Sequence, residues 1–185
     1  MELSTIDQHP WANMYPTRLP VWWGRTGDAK SHPDIDGVTG KTVVLRFEKK
    51  FGKIEKIAAK LFRAPRELRR PLLDKNSVLW ELCNGTKTFE EICIHMSQTY
   101  HEEVSPVVHR TQAGLQVFIN LNVLRLVKDS SSVNWNTKPG HVPPNQHLEE
   151  VSFEVDVEER AGVYLPIFFE FFSTVLPITL PPPSS

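Results

Sequence analysis

Proline sets the strongest limit on what this chain of 185 residues can fold into. Of its 15 prolines, 12 lie in residues 1–40 or 130–185, and the stretch between holds only Pro65, Pro71 and Pro106. Proline locks φ and lacks a backbone donor, so it breaks helix interiors and central strands. Regular structure is therefore expected over 41–129, enough for a small core, between irregular extensions. The expected organisation is an N-terminal arm at 1–40, a domain at 41–129, and a C-terminal region at 130–185 made of linker, acidic strand and apolar tail. The arm carries Trp11, Tyr15, Trp22 and Trp23, too apolar for a free linker, and is expected to pack on the domain or dock a partner.

Charge follows the same division. The formal net charge is −1. By segment it is −2 over 1–40, +8 over 41–75, −2 over 76–129 and −5 over 130–185. Near-neutrality is thus a cancellation between unlike parts. Lys49, Lys50, Lys53, Lys56, Lys60, Arg63, Arg66, Arg69 and Arg70 form a basic run that reads as a solvated face, as a face for the acidic C-terminal region, or as a surface for nucleic acid or an acidic peptide.

Within 41–129, Thr42 to Phe47 is β-rich and predicts a strand. Phe51, Ile54, Ala58 and Leu61 follow at helical spacing. Glu67 to Leu73 predicts an edge strand, because Pro71 is tolerated where no ladder bond is needed. Three helices follow. The first runs over 75–83 with Val78, Leu79, Leu82 and Cys83 inward, and Asn84-Gly85 ends it. Thr88-Phe89-Glu90-Glu91 opens the second with a capping box, and Phe89, Ile92, Cys93 and Met96 form its apolar stripe. Ser105-Pro106 is expected to open the third as N-cap and first helical residue, with Val108, Leu115, Phe118 and Ile119 inward and Asn122 as cap. Val123 to Val127 predicts a short closing strand. This order defines an α+β, winged-helix-like domain with a small antiparallel sheet packed on three helices.

Beyond Ser130 the chain reads as linker. Residues 149–159 then alternate, with Val151, Phe153, Val155 and Val157 against Ser152, Glu154, Asp156 and Glu158, which is a strand pattern with an acidic face. Val163 to Leu180 is rich in phenylalanine but interrupted by Pro166, Glu170 and Pro177. It is short for a membrane span, and packing is favoured over membrane contact.

Chemistry-bearing motifs are sparse. Gly37-Val38-Thr39-Gly40-Lys41-Thr42 imitates a phosphate loop, but it has two residues between the glycines instead of four and precedes a strand instead of a helix. It reads as a turn. The seven histidines are dispersed and fall in no metal-ligand spacing. Cys83 and Cys93 read as buried thiols, and with no export signal they point to a reducing cytosol. No metal, cofactor or catalytic constellation is expected, and nothing here points to an enzyme.

The stretch Leu72-Leu73-Asp74-Lys75-Asn76-Ser77-Val78-Leu79-Trp80-Glu81-Leu82-Cys83-Asn84-Gly85-Thr86-Lys87-Thr88-Phe89-Glu90-Glu91-Ile92 resembles the PqqD family. The shared pattern is a Leu-Asp/Asn pair closing a strand, an apolar helix, an Asp/Asn-Gly turn, then Thr-x-x-Glu-Ile opening the next helix. Tyr100 and the third helix extend the match to about Val127. The resemblance implies a winged-helix-like module, a three-stranded antiparallel sheet on three helices, that binds the leader of a ribosomally made precursor peptide. The module would present that peptide to a modifying enzyme such as a radical S-adenosylmethionine maturase, as in pyrroloquinoline quinone synthesis, and would do no chemistry itself. In the family the leader adds to the sheet edge and lies against the third helix. Carried over, the peptide-binding positions are Leu68, Arg69, Arg70 and Leu72 at the edge and His109, Arg110, Ala113 and Gln116 on the third helix. The helix expected at 53–63 replaces a tight hairpin of the family, and the extensions have no counterpart in it. The alternative is a winged-helix nucleic-acid binder using the basic 41–75 segment. It is disfavoured because the basic residues precede the helices and do not lie on a reading helix.

Overall fold

A computed structural model describes residues 3–48, 67–144, 146 and 148. The expected helix at 53–63, the acidic strand at 149–159 and the apolar stretch at 163–180 lie outside the described residues. So do Lys49 to Arg66 of the basic run.

Five strands and three α-helices are described. A 3-10 segment, Leu3–Gln8, leads into β1 (Tyr15–Arg18), β2 (Trp22–Thr26), β3 (Thr42–Glu48) and β4 (Glu67–Pro71). Helices α1 (Asp74–Leu82), α2 (Phe89–Tyr100) and α3 (Val107–Asn120) follow, with a 3-10 turn at His101–Val104 between the last two, and then β5 (Leu124–Val127). Strands β2, β3 and β4 form an antiparallel sheet in chain order, and β1 and β5 form a separate antiparallel pair. The chain is therefore α+β with a small antiparallel sheet.

The N-terminal arm is not irregular throughout: Leu3–Gln8, β1 and β2 lie in it. Register partners Trp23 and Leu45, and Arg25 and Val43, tie β2 to β3 across the expected boundary at 40, so no domain edge falls there. The prolines mark places where no donor is required. Pro16 lies within β1, whose outer side meets the end of α1. There the Gly85 N–H donates to Pro16 O and the Arg18 N–H donates to Cys83 O. The Pro16 nitrogen thus faces away from β5 and costs that pair no ladder bond. The linker is also tied down: Trp135 Nε1 donates to Arg18 O at 2.7 Å, and Trp23 Nε1 donates to Thr137 O at 3.0 Å.

Helix α1 is buried on every side from Asn76 to Leu82. Trp80 meets Trp23 edge-on at 6.3 Å between ring centroids and Phe118 at 5.3 Å. Val43 and Leu45 of β3 join Val78, Leu79 and Leu82, Ile92 and Met96 of α2, Leu115 of α3, and Leu124 of β5 in one core. Gly114 lets α3 approach α1: a Cβ there would come within 2.7 Å of Leu79 Cδ2.

The helix ends follow local chemistry. Thr88 and Glu91 form the expected capping box: the Glu91 N–H donates to Thr88 Oγ1 at 3.2 Å, and the Thr88 N–H donates to Glu91 Oε2 at 2.7 Å. Asn122 takes the left-handed conformation, φ +55°, after α3. Its N–H donates to Ile119 O and that of Val123 to Phe118 O, a Schellman closure. The opening of α3 differs from expectation. Pro106 is the N-cap, with extended backbone and no side-chain cap, and Ser105 lies outside the helix. The Arg110 N–H takes Pro106 O as its acceptor, so the helix gains its first bond without the serine hydroxyl. Strand β5 appears where a closing strand is expected, but it pairs with β1 and not with the three-stranded sheet.

Gly85 has φ +83°, and a Cβ on it would lie 2.8 Å from Thr17 Oγ1. Gly85→Ala is expected to destabilise the chain by about 1–3 kcal/mol, from left-handed strain plus this contact, read as a lower denaturant midpoint at unchanged slope.

Candidate functional site

The two edges of the β2–β3–β4 sheet are unlike each other. In an antiparallel ladder, alternate residues turn their N–H and C=O toward one neighbour and then the other. On β2 the outward groups include Trp23 O, and the Gly140 N–H donates to it at 2.8 Å. The 137–140 segment therefore caps that edge. On β4 the inward residues follow from the Leu72 N–H, which donates to Val43 O at 2.8 Å. Leu68, Arg70 and Leu72 thus point their backbone at β3, and Glu67, Arg69 and Pro71 point theirs outward. Among the described residues β4 pairs with β3 alone. Pro71 sits at an outward position, where its missing N–H breaks no bond to β3, as expected of an edge strand.

The sequence-predicted residues fall into two groups. Leu68, Arg69 and Arg70 pair with Phe47, Arg46 and Leu45, and Leu72 follows the strand half-buried. Leu68 and Leu72 lie on the face that carries Val43 and Leu45 into the core. Arg69 lies on the opposite face with Arg46, whose guanidinium stacks over Trp22 at 4.4 Å. On α3, His109 and Gln116 are exposed while Arg110 and Ala113 are half-buried. The four form one stripe, and the Gln116 amide donates to Asn120 Oδ1 at 3.0 Å. The principal packing of α3 is on α1, α2, β5 and the 3-10 segments, and that of β4 is on β3. Helix α1 links the two groups: its first turn follows β4 directly, and its Leu79 receives Gly114.

A buried carboxylate escaped the sequence reading. The side chain of Glu81, on α1, is wholly buried and forms an ion pair with Arg25 Nε from β2. It also accepts the Thr39 N–H at 2.9 Å and the Thr39 hydroxyl at 2.8 Å. Arg25 Nη2 in turn donates to Gly37 O at 2.9 Å. The loop that imitates a phosphate cradle is thus a turn whose Thr39 donors serve a carboxylate of the same chain. The signal for it was a lone acid inside the apolar run Val78 to Cys83.

The remaining reactive groups are quenched by burial. Burial pushes the Cys83 thiol up to about 12, with nearby Arg18 acting the other way. Burial likewise raises Cys93 to about 12, against a hydrogen bond with Thr111. Tyr100 rises to about 12, mainly through burial, and its hydroxyl donates to Ser31 O at 2.7 Å. Among the described residues no cluster of three His, Cys, Asp or Glu side chains is arranged to hold a metal ion, and no helix is long and apolar enough to cross a membrane.

No protein-family model, curated protein or solved structure matches the chain.

Glu81→Gln is expected to cost about 2–3 kcal/mol, because it leaves Arg25 and Thr39 with a weaker neutral acceptor. The cost should appear in equilibrium unfolding, and the Glu81→Asp chain should fall between the two. Both cysteines should resist an aromatic disulfide reagent at pH 8 in the folded chain and react fully in denaturant. A thiol raised from 9.0 to about 12 holds about a thousandfold less thiolate. The stability these thiols contribute is complete below pH 9 and is lost as pH rises from there toward 12, since the folded chain retains protons that the unfolded chain releases.

Proposed function

We propose that the chain is a non-catalytic peptide-recognition protein of PqqD-like type. It would accept an extended leader segment of a precursor peptide as an added strand on β4 and present it to a modifying enzyme such as a radical S-adenosylmethionine maturase. The observation that carries this reading is the asymmetry of the sheet. The β2 edge is capped by Gly140, whereas β4 turns the backbone of Glu67, Arg69 and Pro71 outward with no described strand beyond it. Strand addition draws affinity from such main-chain groups and specificity from side chains on the flanking strand. The meander β2–β3–β4 followed by three helices also agrees with the architecture that the resemblance at 72–127 implies. Pyrroloquinoline quinone synthesis is one pathway of this kind.

The nucleic-acid reading draws on the basic 41–75 stretch. It gains little from α3, where Arg110 is the sole lysine or arginine between Val107 and Asn120.

The test is titration of labelled peptides from short reading frames beside the gene into the full chain. One of them should bind saturably. Arg69→Pro removes the outward donor without touching a bond to β3, and should weaken binding at least tenfold while Arg69→Ala weakens it less. Arg110→Glu should weaken an acidic leader more than a neutral one. If no peptide binds the folded chain, the reading is lost. Binding of DNA or RNA that falls steeply with salt would put the alternative in its place.

A further inference from the structure

Strand β5 presents a further sheet edge, and it carries neither of the guards found on β2 and β4. Its register with β1 sets which groups it turns outward. The Leu19 N–H donates to Val123 O at 2.8 Å on the β5 side of the pair, whereas Pro16 and Arg18 turn their backbone to the end of α1. Their register partners, Leu126 and Leu124, are therefore not bonded to β1 and turn their own N–H and C=O away from it. Among the described residues β5 pairs with β1 alone, and no described backbone group bonds to Leu126 from the far side. The β2 edge is covered at Gly140, and β4 ends in Pro71. Strand β5, Leu-Arg-Leu-Val, has no proline and no covering segment among the described residues. Main-chain groups left unused along an edge accept a further strand.

The side chains along this edge narrow what fits it. Leu126 is half-buried against the core and Val127 is buried, while Arg125 and Lys128 are exposed. Arg125 is held in place: its guanidinium lies 5.5 Å from the ring centroid of Trp135, whose Nε1 donates to Arg18 O. Neither cation has an acidic partner among the described residues. The adjacent acid, Asp129, is occupied by Ser131, whose N–H donates to it at 2.9 Å and whose hydroxyl donates at 2.6 Å. A strand laid along β5 thus meets a cation at 125, apolar residues at 126 and 127, and a cation at 128. Residues directly opposite on paired strands touch, and opposite charges there are favourable. The matching segment reads acid, apolar, apolar, acid, and it reads the same in either direction.

A second copy of β5 does not meet that description. Two β5 strands paired antiparallel about Leu126 place Arg125 opposite the partner's Val127 and Lys128 opposite the partner's Leu124. All four cations then enter one short interface with no acid directly opposite any of them. Charge complementarity favours an acidic segment over self-pairing.

We infer that the outer edge of β5 binds an extended acidic peptide segment as an added strand, with acidic side chains opposite Arg125 and Lys128 and apolar ones opposite Leu126 and Val127. This edge is distinct from β4, so the two readings stand or fall separately. The probes are two synthetic peptides, Thr-Glu-Val-Leu-Glu-Thr and Thr-Lys-Val-Leu-Lys-Thr, and the measurement is amide hydrogen exchange on the full chain. The outward Leu126 amide should exchange fast in the free chain and slow about tenfold or more with excess acidic peptide. The Arg125 and Val127 amides, which face β1, should not change. The lysine peptide should give no protection at the same concentration, and Arg125→Glu should abolish the advantage of the acidic one. Arg69→Pro, which alters only the outward face of β4, should leave Leu126 protection intact; its loss there would mean that the peptide sits on β4 and would overturn the inference. Failure of both peptides to protect Leu126 in the unaltered chain overturns it as well. So does a Leu126 amide already protected without peptide: sedimentation as a dimer then assigns the edge to a second copy, and as a monomer to the chain itself.

Discussion

Complete burial of α1 is the constraint from which the rest of the architecture follows. A helix wrapped by protein on all sides needs partners for its apolar and polar positions alike. Trp80 and Val78 to Leu82 draw in the sheet through Val43, Leu45 and Trp23, and α3 through Phe118. Leu79 requires a residue without a side chain at the crossing, and Gly114 supplies it. Ser77 joins the helix to the sheet by polar means: its hydroxyl accepts the Val43 N–H at 2.9 Å and donates to Leu72 O. The bend from β4 into α1 is thus held at both ends, which fixes the direction in which β4 presents its outer edge.

Two buried charges are handled differently. Glu81 is satisfied by Arg25 and by both donors of Thr39, so its desolvation cost is offset by charge-assisted hydrogen bonds and the 37–39 turn is drawn onto the core. Arg18 has no such partner: its Nε and Nη1 are buried without an acceptor. Its guanidinium lies instead over Trp23 at 4.5 Å and toward Trp80 at 6.0 Å. A desolvated cation on an indole face recovers about 2 kcal/mol, less than full hydration provides. Burial accordingly lowers the Arg18 guanidinium to about 10. Its backbone is fully used, donating to Cys83 O and accepting from Trp135. The position is held by the main chain, and the side chain fills the space under the tryptophans.

The helices were legible because their signals are local. The capping box at Thr88, the left-handed stop at Gly85 and the apolar stripes of α2 and α3 each depend on residues within a few positions. The edge character of β4 was legible through Pro71 for the same reason. What escaped was non-local. Strands β1 and β2 hide among Pro10, Pro16 and Pro20, because proline density reports absent donors and not absent pairing. Pro16 stands where its nitrogen faces away from β5. The binding of the 130–140 segment depends on an indole, Trp135, reaching a carbonyl 117 positions earlier. Glu81 was invisible as a site because its partners come from β2 and a loop 42 residues upstream. The edge residues Leu68, Arg69, Arg70 and Leu72 emerge as one strand and its exit, whereas the α3 stripe joins them only through α1.

An unprotected sheet edge is an aggregation hazard, and proteins blunt such edges with charge, proline or a covering segment. This chain uses a covering segment at β2 and both other devices at β4, where Pro71 and two adjacent arginines lie. These devices are not equivalent. A capped edge is closed to every strand. A proline at one outward position removes one donor, while Glu67, Arg69 and Pro71 still turn their backbone away from β3. Arginines repel a second copy of the same strand but attract an acidic one. Charge at β4 thus works against pairing of this edge with a second copy of itself.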